Sequence, residues 1–130
     1  MRREVVVVSG VRTAIGTYGG SLKDTPPTEL AALVVREALA RAQTDGQDVG
    51  HVVFGHVVNT EPKDMYLSRV AAIKGGCAES TPAFNVNRLC GSGLQAIVNA
   101  SQSILLGDTD VAIGGGAENM SRVPFASLNM

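Results

Sequence analysis

The chain has 130 residues, a formal net charge of -1, a hydrophobic fraction of 45% and no tryptophan, so it is long enough for one domain with an aliphatic core. The small net charge gives no electrostatic basis for binding nucleic acid or an anionic membrane, and no apolar run approaches the roughly 20 residues of a membrane span. The two cysteines do not form a disulfide framework, and the first residues do not resemble a secretory signal; we therefore expect a cytoplasmic protein.

The first third of the chain predicts a strand, a loop and a helix. Residues 4–9 contain four consecutive valines, which predict a strand buried on both faces. The loop at 10–23 is rich in glycine, and Pro26 and Pro27 favour the start of a helix. The apolar residues of this helix recur at helical spacing, at Leu30, Leu33, Val34 and Ala38.

The pattern of strands and helices continues to the end of the chain. Residues 49–58 predict a second strand, 65–74 a short helix that ends at Gly75 and Gly76, and 82–87 a third strand. Apolar residues at helical spacing from Leu94 onward predict a helix before Gly107, and residues 111–113 a fourth strand. The order β-α-β-α-β-α-β predicts an α/β fold with a mostly parallel sheet and helices on both faces.

One cysteine lies where the third strand meets the following helix. Cys90 precedes the first helical turn, where free backbone N–H groups and the helix dipole favour negative charge, and the thiolate form of cysteine is the nucleophile. Arg88 adds positive charge, and Gly91 and Gly93 leave room for a substrate. We predict that Cys90 is a catalytic nucleophile; the alternative is a buried structural thiol. Cys77 lacks this setting and is interpreted as a bystander.

The same segment offers a second interpretation. Residues 91–96, Gly-Ser-Gly-Leu-Gln-Ala, match the dinucleotide-binding pattern G-x-G-x-x-G/A between a strand and a helix. That pattern expects an acidic residue after the next strand, but Asp108 and Asp110 precede it. A dinucleotide-binding module using residues 91–96 is therefore the weaker hypothesis.

The remaining polar candidates favour structural roles. His51 and His56 flank the second strand without a third ligand at comparable spacing, so we interpret them as ordinary histidines and predict no metal site. Glu118 and Asn119 follow three glycines, and we expect them to satisfy backbone groups.

Three motifs together resemble one enzyme family. Residues 87–96, Asn-Arg-Leu-Cys-Gly-Ser-Gly-Leu-Gln-Ala, resemble the nucleophile segment of the thiolases. Residues 11–22 resemble the opening loop of that family, and residues 114–121, Gly-Gly-Gly-Ala-Glu-Asn-Met-Ser, resemble its glycine-rich strand end. The motifs occur in the order of the family, and the likeness extends over essentially the whole chain.

The resemblance implies a fold and an activity. Thiolases consist of related α/β halves packed face to face and form homodimers or homotetramers. They are acyltransferases that act in fatty acid or polyhydroxyalkanoate metabolism, with coenzyme A thioesters as substrates and no separate cofactor. Carried over to this chain, the resemblance makes Cys90 the residue acylated by an acyl-CoA, with its backbone N–H as an oxyanion donor. A second acyl-CoA then attacks in a Claisen condensation, whose reverse is thiolysis.

The resemblance also implies that other parts of a thiolase lie elsewhere. Thiolases are much longer, and their second cysteine, catalytic histidine, asparagine-bearing motif and loop domain belong to segments outside residues 1–130. We therefore expect residues 1–130 to be the N-terminal part of a thiolase N-terminal domain, which needs the remainder of the polypeptide for turnover. The alternative to this enzyme hypothesis is a non-catalytic fragment that pairs with the missing half.

Overall fold

The computed structural model describes residues 3–129. The helices are α1 (Pro27–Ala42), α2 (Leu67–Gly75) and α3 (Ser92–Leu106), and the strands are β1 (His51–Gly55), β2 (Ala83–Val86) and β3 (Ala112–Gly116). Short 3-10 turns occupy Gly46–Asp48, Pro62–Tyr66 and Met120–Arg122. Over residues 3–129, no helix combines the length and the apolar character needed to cross a bilayer.

The strands form a parallel sheet in the order β2-β1-β3. In its register, Val53 of β1 lies opposite Phe84 of β2 and Gly114 of β3. The α/β class and the parallel sheet predicted from the sequence are confirmed. Because all paired strands run the same way, their carboxyl ends meet at one edge of the sheet, and the loops that follow them lie side by side.

Helices cover both faces of the sheet. On one face, Val52 and Phe54 are fully buried in a core cluster with side chains of α1 and α2, namely Ala31, Val35, Leu67, Ala71 and Ala72. On the other face, Gly55 lies directly against Ser92 and Gly93 of α3. The alternation of side chains along β1 therefore divides the packing between two helical layers.

The predicted helix ends are confirmed by backbone geometry. Gly76 after α2 and Gly107 after α3 both adopt left-handed conformations, with φ of 102° and 85°, and their N–H groups cap the preceding turns. In α1, however, the predicted apolar stripe is rotated. Leu33 is 50% exposed, whereas Thr28 and Val35 are buried, because contact with α2 and the sheet determines which side of α1 faces the core.

The prediction of a first strand at residues 4–9 is wrong for this structure. The segment pairs with no strand among residues 3–129, and Val6, Val7 and Val8 are 66%, 84% and 70% exposed. Four valines favour extended backbone, but a strand also needs a hydrogen-bonded neighbour. Here a cavity of about 740 Å³ separates the segment from β3, α1 and α3. The observed element order is consequently α-β-α-β-α-β.

We predict that Gly55→Ala destabilises the fold by about 1–3 kcal/mol, the usual effect of overpacking a core. A Cβ at Gly55 would lie 2.5 Å from the Ser92 carbonyl carbon and 2.6 Å from the Gly93 nitrogen, so α3 would have to move. Urea denaturation followed by circular dichroism measures the change.

Gly93→Ala is the matched control for this substitution. A Cβ there meets nothing within 4 Å, so the alanine is expected to leave stability unchanged or raise it through better helix propensity. Equal stability of the Gly55→Ala variant and the wild type would contradict the close approach of α3 to β1.

Candidate active site

A tight turn joins the end of β2 to the start of α3. Leu89 has a positive φ of 49°, which is uncommon for a residue with a side chain, and its N–H donates to Asn87 Oδ1 at 3.0 Å. Ser92 Oγ accepts the Arg88 N–H at 2.8 Å and donates to the Leu89 carbonyl at 2.6 Å. These bonds hold the chain in the strand–turn–helix arrangement predicted around Cys90, and we call residues 87–92 the elbow.

Cys90 is exposed at the tip of the elbow, immediately before the N-cap Gly91 of α3. Leu89, the preceding residue, and Leu94, in the first turn of α3, are also exposed, at 69% and 70%. The alternative of a buried structural thiol at Cys90 is therefore wrong. Cys90 does not line the cavity beside residues 5–17, and its turn lies at the carboxyl edge of the sheet, after β2.

The other cysteine has the opposite environment. Cys77 is 7% exposed and packs in the core cluster beside α1 and α2. Burial raises the pKa of the Cys77 thiol because desolvation disfavours the charged form. The interpretation of Cys77 as a bystander agrees with this position.

The charged side chain of the elbow is held along α3. Arg88 Nη1 donates to Gln95 Oε1 at 2.7 Å, and Gln95 Nε2 donates in turn to Asn99 Oδ1 at 3.2 Å. These bonds run along the helix that begins behind Cys90 and keep the guanidinium at its amino-terminal half.

Glu118 and Asn119 satisfy backbone groups, as predicted. The Glu118 carboxylate accepts the N–H groups of Val57 and Val58 at 3.1 and 2.9 Å. Asn119 Nδ2 donates to the carbonyls of Leu22 and Thr25 at 2.9 and 2.8 Å. The hydrogen bonds of Glu118 join the segment after β3 to the loop after β1, and those of Asn119 join it to the loop before α1.

The two histidines differ in their surroundings. The Nδ1 atom of His51 lies 3.2 Å from Ser103 Oγ, and its ring meets Phe84 edge to face. His56 is buried at the carboxyl end of β1, between the carboxylates of Asp64 and Glu118. Sequence reasoning missed this cluster, although a histidine directly after an apolar strand was a signal that it lies at the sheet edge.

Among residues 3–129, no group of three or more His, Cys, Asp or Glu side chains is arranged to hold a metal ion.

The geometry weakens the dinucleotide hypothesis. Asp110 lies at the amino end of β3 and pairs with Arg3 at 2.7 Å, away from the elbow. The acidic residue that does follow β3 is Glu118, and its carboxylate is already engaged by two backbone N–H groups. Within the part of the chain that the structure describes, no free carboxylate follows β3 where a ribose would need one.

Comparison with known proteins identifies the family. The family profile described as thiolase, N-terminal domain, matches residues 5–129. The chain belongs to the thiolase family. The resemblance seen in the three sequence motifs is thereby confirmed, and the elbow with its exposed cysteine is the corresponding feature of the structure.

Relatives of this thiolase chain agree in sequence and in structure. Beta-ketothiolase BktB of Cupriavidus necator is 77% identical over 125 residues, which are 96% of this chain and 32% of that protein. Acetyl-CoA acetyltransferase of Bacillus anthracis superposes with a TM-score of 0.91 at 36% identity, over 97% of this chain and 32% of that one. Human mitochondrial 3-ketoacyl-CoA thiolase in complex with CoA superposes with a TM-score of 0.91 at 38% identity, over 95% of this chain and 31% of that one. The chain thus spans about a third of the length of the relatives it matches.

We predict that iodoacetamide alkylates Cys90 at least about tenfold faster than Cys77 at neutral pH, because Cys90 is exposed and Cys77 is buried. The raised pKa of the Cys77 thiol delays its labelling to more alkaline pH. Peptide mass spectrometry of the native protein resolves the two sites. Faster labelling of Cys77 would contradict the described positions of the thiols.

The elbow also makes a prediction for Ser92. Ser92→Ala removes the side-chain acceptor of the Arg88 N–H and one of two donors to the Leu89 carbonyl, which keeps the Ser92 N–H, so we expect a loss of about 0.5–1.5 kcal/mol of stability. We also expect an altered rate of Cys90 alkylation. Ser101→Ala on the same helix is the control, since Ser101 Oγ donates to the Ile97 carbonyl of its own helix and not to the elbow.

Similar effects of the Ser92→Ala and Ser101→Ala substitutions on denaturation midpoint and Cys90 alkylation would contradict this role of Ser92.

Proposed function

We propose that the protein containing this chain is a thiolase-type acyltransferase and that Cys90 is its acylated nucleophile. The observation that carries the proposal is the exposed cysteine at a strand–turn–helix elbow, in a chain of the thiolase family. The names of its relatives support coenzyme A thioesters as the substrate class, since they include a beta-ketothiolase and an acetyl-CoA acetyltransferase.

The position of Cys90 suits nucleophilic attack. Cys90 directly precedes the N-cap of α3, whose first turn carries no acidic residue that would repel a negatively charged intermediate. The thiol is solvent-accessible, and a Cβ at Gly93 would meet nothing within 4 Å, which leaves space next to the elbow. A thioester can therefore reach the sulfur without displacing the helix.

The first half-reaction transfers the acyl group to the enzyme. The Cys90 thiolate attacks the carbonyl carbon of an acyl-CoA, a new carbon–sulfur bond forms, and the bond to the coenzyme A sulfur breaks as that sulfur leaves and takes a proton. We assign the Cys90 backbone N–H as one donor to the carbonyl oxygen while it carries negative charge.

The second half-reaction makes a carbon–carbon bond. The carbon next to the carbonyl of a second acyl-CoA, once deprotonated, attacks the acyl-cysteine carbonyl and releases the Cys90 thiolate, giving a 3-ketoacyl-CoA. Thiolysis is the reverse sequence. The general base that removes this proton is proposed to lie outside residues 1–130, in keeping with the expectation that this N-terminal part needs the rest of the polypeptide.

The proposal extends to assembly and location. We place this chain in the N-terminal domain of a polypeptide that assembles as a homodimer or homotetramer in the cytoplasm, with no resident cofactor. Its metabolic role is in fatty acid or polyhydroxyalkanoate metabolism. Sedimentation of the full-length protein tests the assembly.

We predict that Cys90→Ala in the full-length protein lowers acetoacetyl-CoA thiolysis by on the order of 10⁴-fold or more, because no acyl-enzyme can form. Brief incubation of the wild type with labelled acetyl-CoA is expected to place the acetyl group on the peptide that contains Cys90.

Cys77→Ala is the control for this experiment, and it should keep its activity and its acetyl label. Acetyl label on Cys77, or full activity of a folded Cys90→Ala variant, would overturn the proposed function.

A further inference from the structure

The elbow holds one residue in a backbone conformation that its side chain disfavours. Leu89 has a φ of 49°, in the left-handed region that is costly for residues other than glycine. Its side chain is 69% exposed, so packing of that side chain among residues 3–129 does not enforce the conformation. Such strain persists only where neighbouring contacts maintain it, and it clusters at functional sites.

Hydrogen bonds on both sides of Leu89 maintain this conformation. Asn87 Oδ1 accepts the Leu89 N–H at 3.0 Å, which closes the turn that asparagine favours with the N–H two residues ahead. The Leu89 carbonyl accepts the N–H of Ser92 at 3.1 Å and its hydroxyl at 2.6 Å. The carbonyl is therefore held twice, whereas within the described residues the N–H is held by Asn87 alone.

This turn leaves the N–H of the nucleophile available. The neighbouring N–H groups are all taken up inside the elbow, namely those of Arg88, Leu89, Gly91 and Ser92. The Cys90 N–H forms no hydrogen bond with any of residues 3–129. It belongs to the planar peptide unit that joins Leu89 to Cys90, so the backbone angles of Leu89 determine where it points. A change at Leu89 therefore turns the N–H proposed as donor to the thioester oxygen and moves the sulfur as well.

We propose that Asn87 is a positioning residue for the acylation of Cys90. By binding the Leu89 N–H, its side chain holds Leu89 in the left-handed conformation and thereby directs the Cys90 N–H and thiol at the same substrate carbonyl. This inference rests on the proposed function. Asn87 acts through Leu89 and does not touch the reacting atoms, and its contribution lies in the geometry of attack, to which rates are sensitive.

The burst of coenzyme A on rapid mixing of the full-length protein with acetyl-CoA measures this contribution as a rate. Asn87→Ala is expected to slow the burst by roughly three- to tenfold, the range that the loss of one ordinary hydrogen bond allows. Asn87→Ser keeps a weaker acceptor for the same turn, so its rate should lie between those of the wild type and Asn87→Ala.

Alkylation by iodoacetamide separates positioning from folding. The alkylation of Cys90 needs no oxyanion donor, so in Asn87→Ala its rate is expected to change less than the burst rate does. Slow alkylation of the buried Cys77 in the same sample shows that the variant is folded.

Leu89→Gly supplies the rescue that the proposal requires. Glycine adopts a positive φ without help from a side chain, and the exposed Leu89 side chain contributes little packing. In the double variant Asn87→Ala/Leu89→Gly, the burst rate is therefore expected to lie within about twofold of that of Leu89→Gly alone.

Asp45→Ala is the matched control. Asp45 Oδ1 accepts the N–H of Gln47 at 3.0 Å, which is the same bond at the same spacing, but it lies before β1 and away from the elbow. This variant should keep the wild-type burst rate.

Two outcomes would overturn the positioning role alone. One is a wild-type burst that Asn87→Ala leaves unchanged, and the other is an equal loss from Asn87→Ala with and without Leu89→Gly. Absence of both the burst and the acetyl label on Cys90 in the wild type would overturn the proposed function, and the role of Asn87 with it.

Discussion

The close contact of the α3 backbone with the backbones of β1 and β3 determines where α3 begins. It thereby positions the elbow and Cys90 at the carboxyl edge of the sheet. A Cβ at Gly55 would meet Ser92 and Gly93 at under 2.8 Å, one at Gly114 would meet Ile97 Cα at 2.7 Å, and one at Gly116 would lie 3.3 Å from Gly93 Cα. Only glycine permits this approach at Gly55 and Gly114. The helix therefore begins directly over the strand ends, and the turn that precedes it places Cys90 there.

Two sulfur atoms of the same chain acquire different chemistry from this arrangement. Cys77 follows a helix that packs into the core, and burial raises the pKa of its thiol. Cys90 precedes a helix and is exposed. The difference between the two thiols comes from burial, since the residue itself is identical.

Local features of the sequence were sufficient to predict most of the fold and the elbow. Each of these features determines the conformation of residues next to it in the sequence. Examples are the glycines at 76 and 107, which end helices, the apolar run of β1, and the pattern around Cys90. The strand predicted at residues 4–9 was wrong because a strand needs a second strand to pair with, and the sequence of residues 4–9 does not specify one. The buried cluster of His56, Asp64 and Glu118 was missed for a related reason: its members come from the connection between β1 and α2 and from the segment after β3, which are distant in sequence and meet only in the folded sheet.

The most direct test of the central claim is the amount of free coenzyme A released when full-length protein is mixed rapidly with acetyl-CoA alone. Acylation of Cys90 predicts a burst of one equivalent of coenzyme A per active chain, before any slower release, and no burst in Cys90→Ala. A burst of equal size in the folded Cys90→Ala variant, or none in the wild type, would contradict the account.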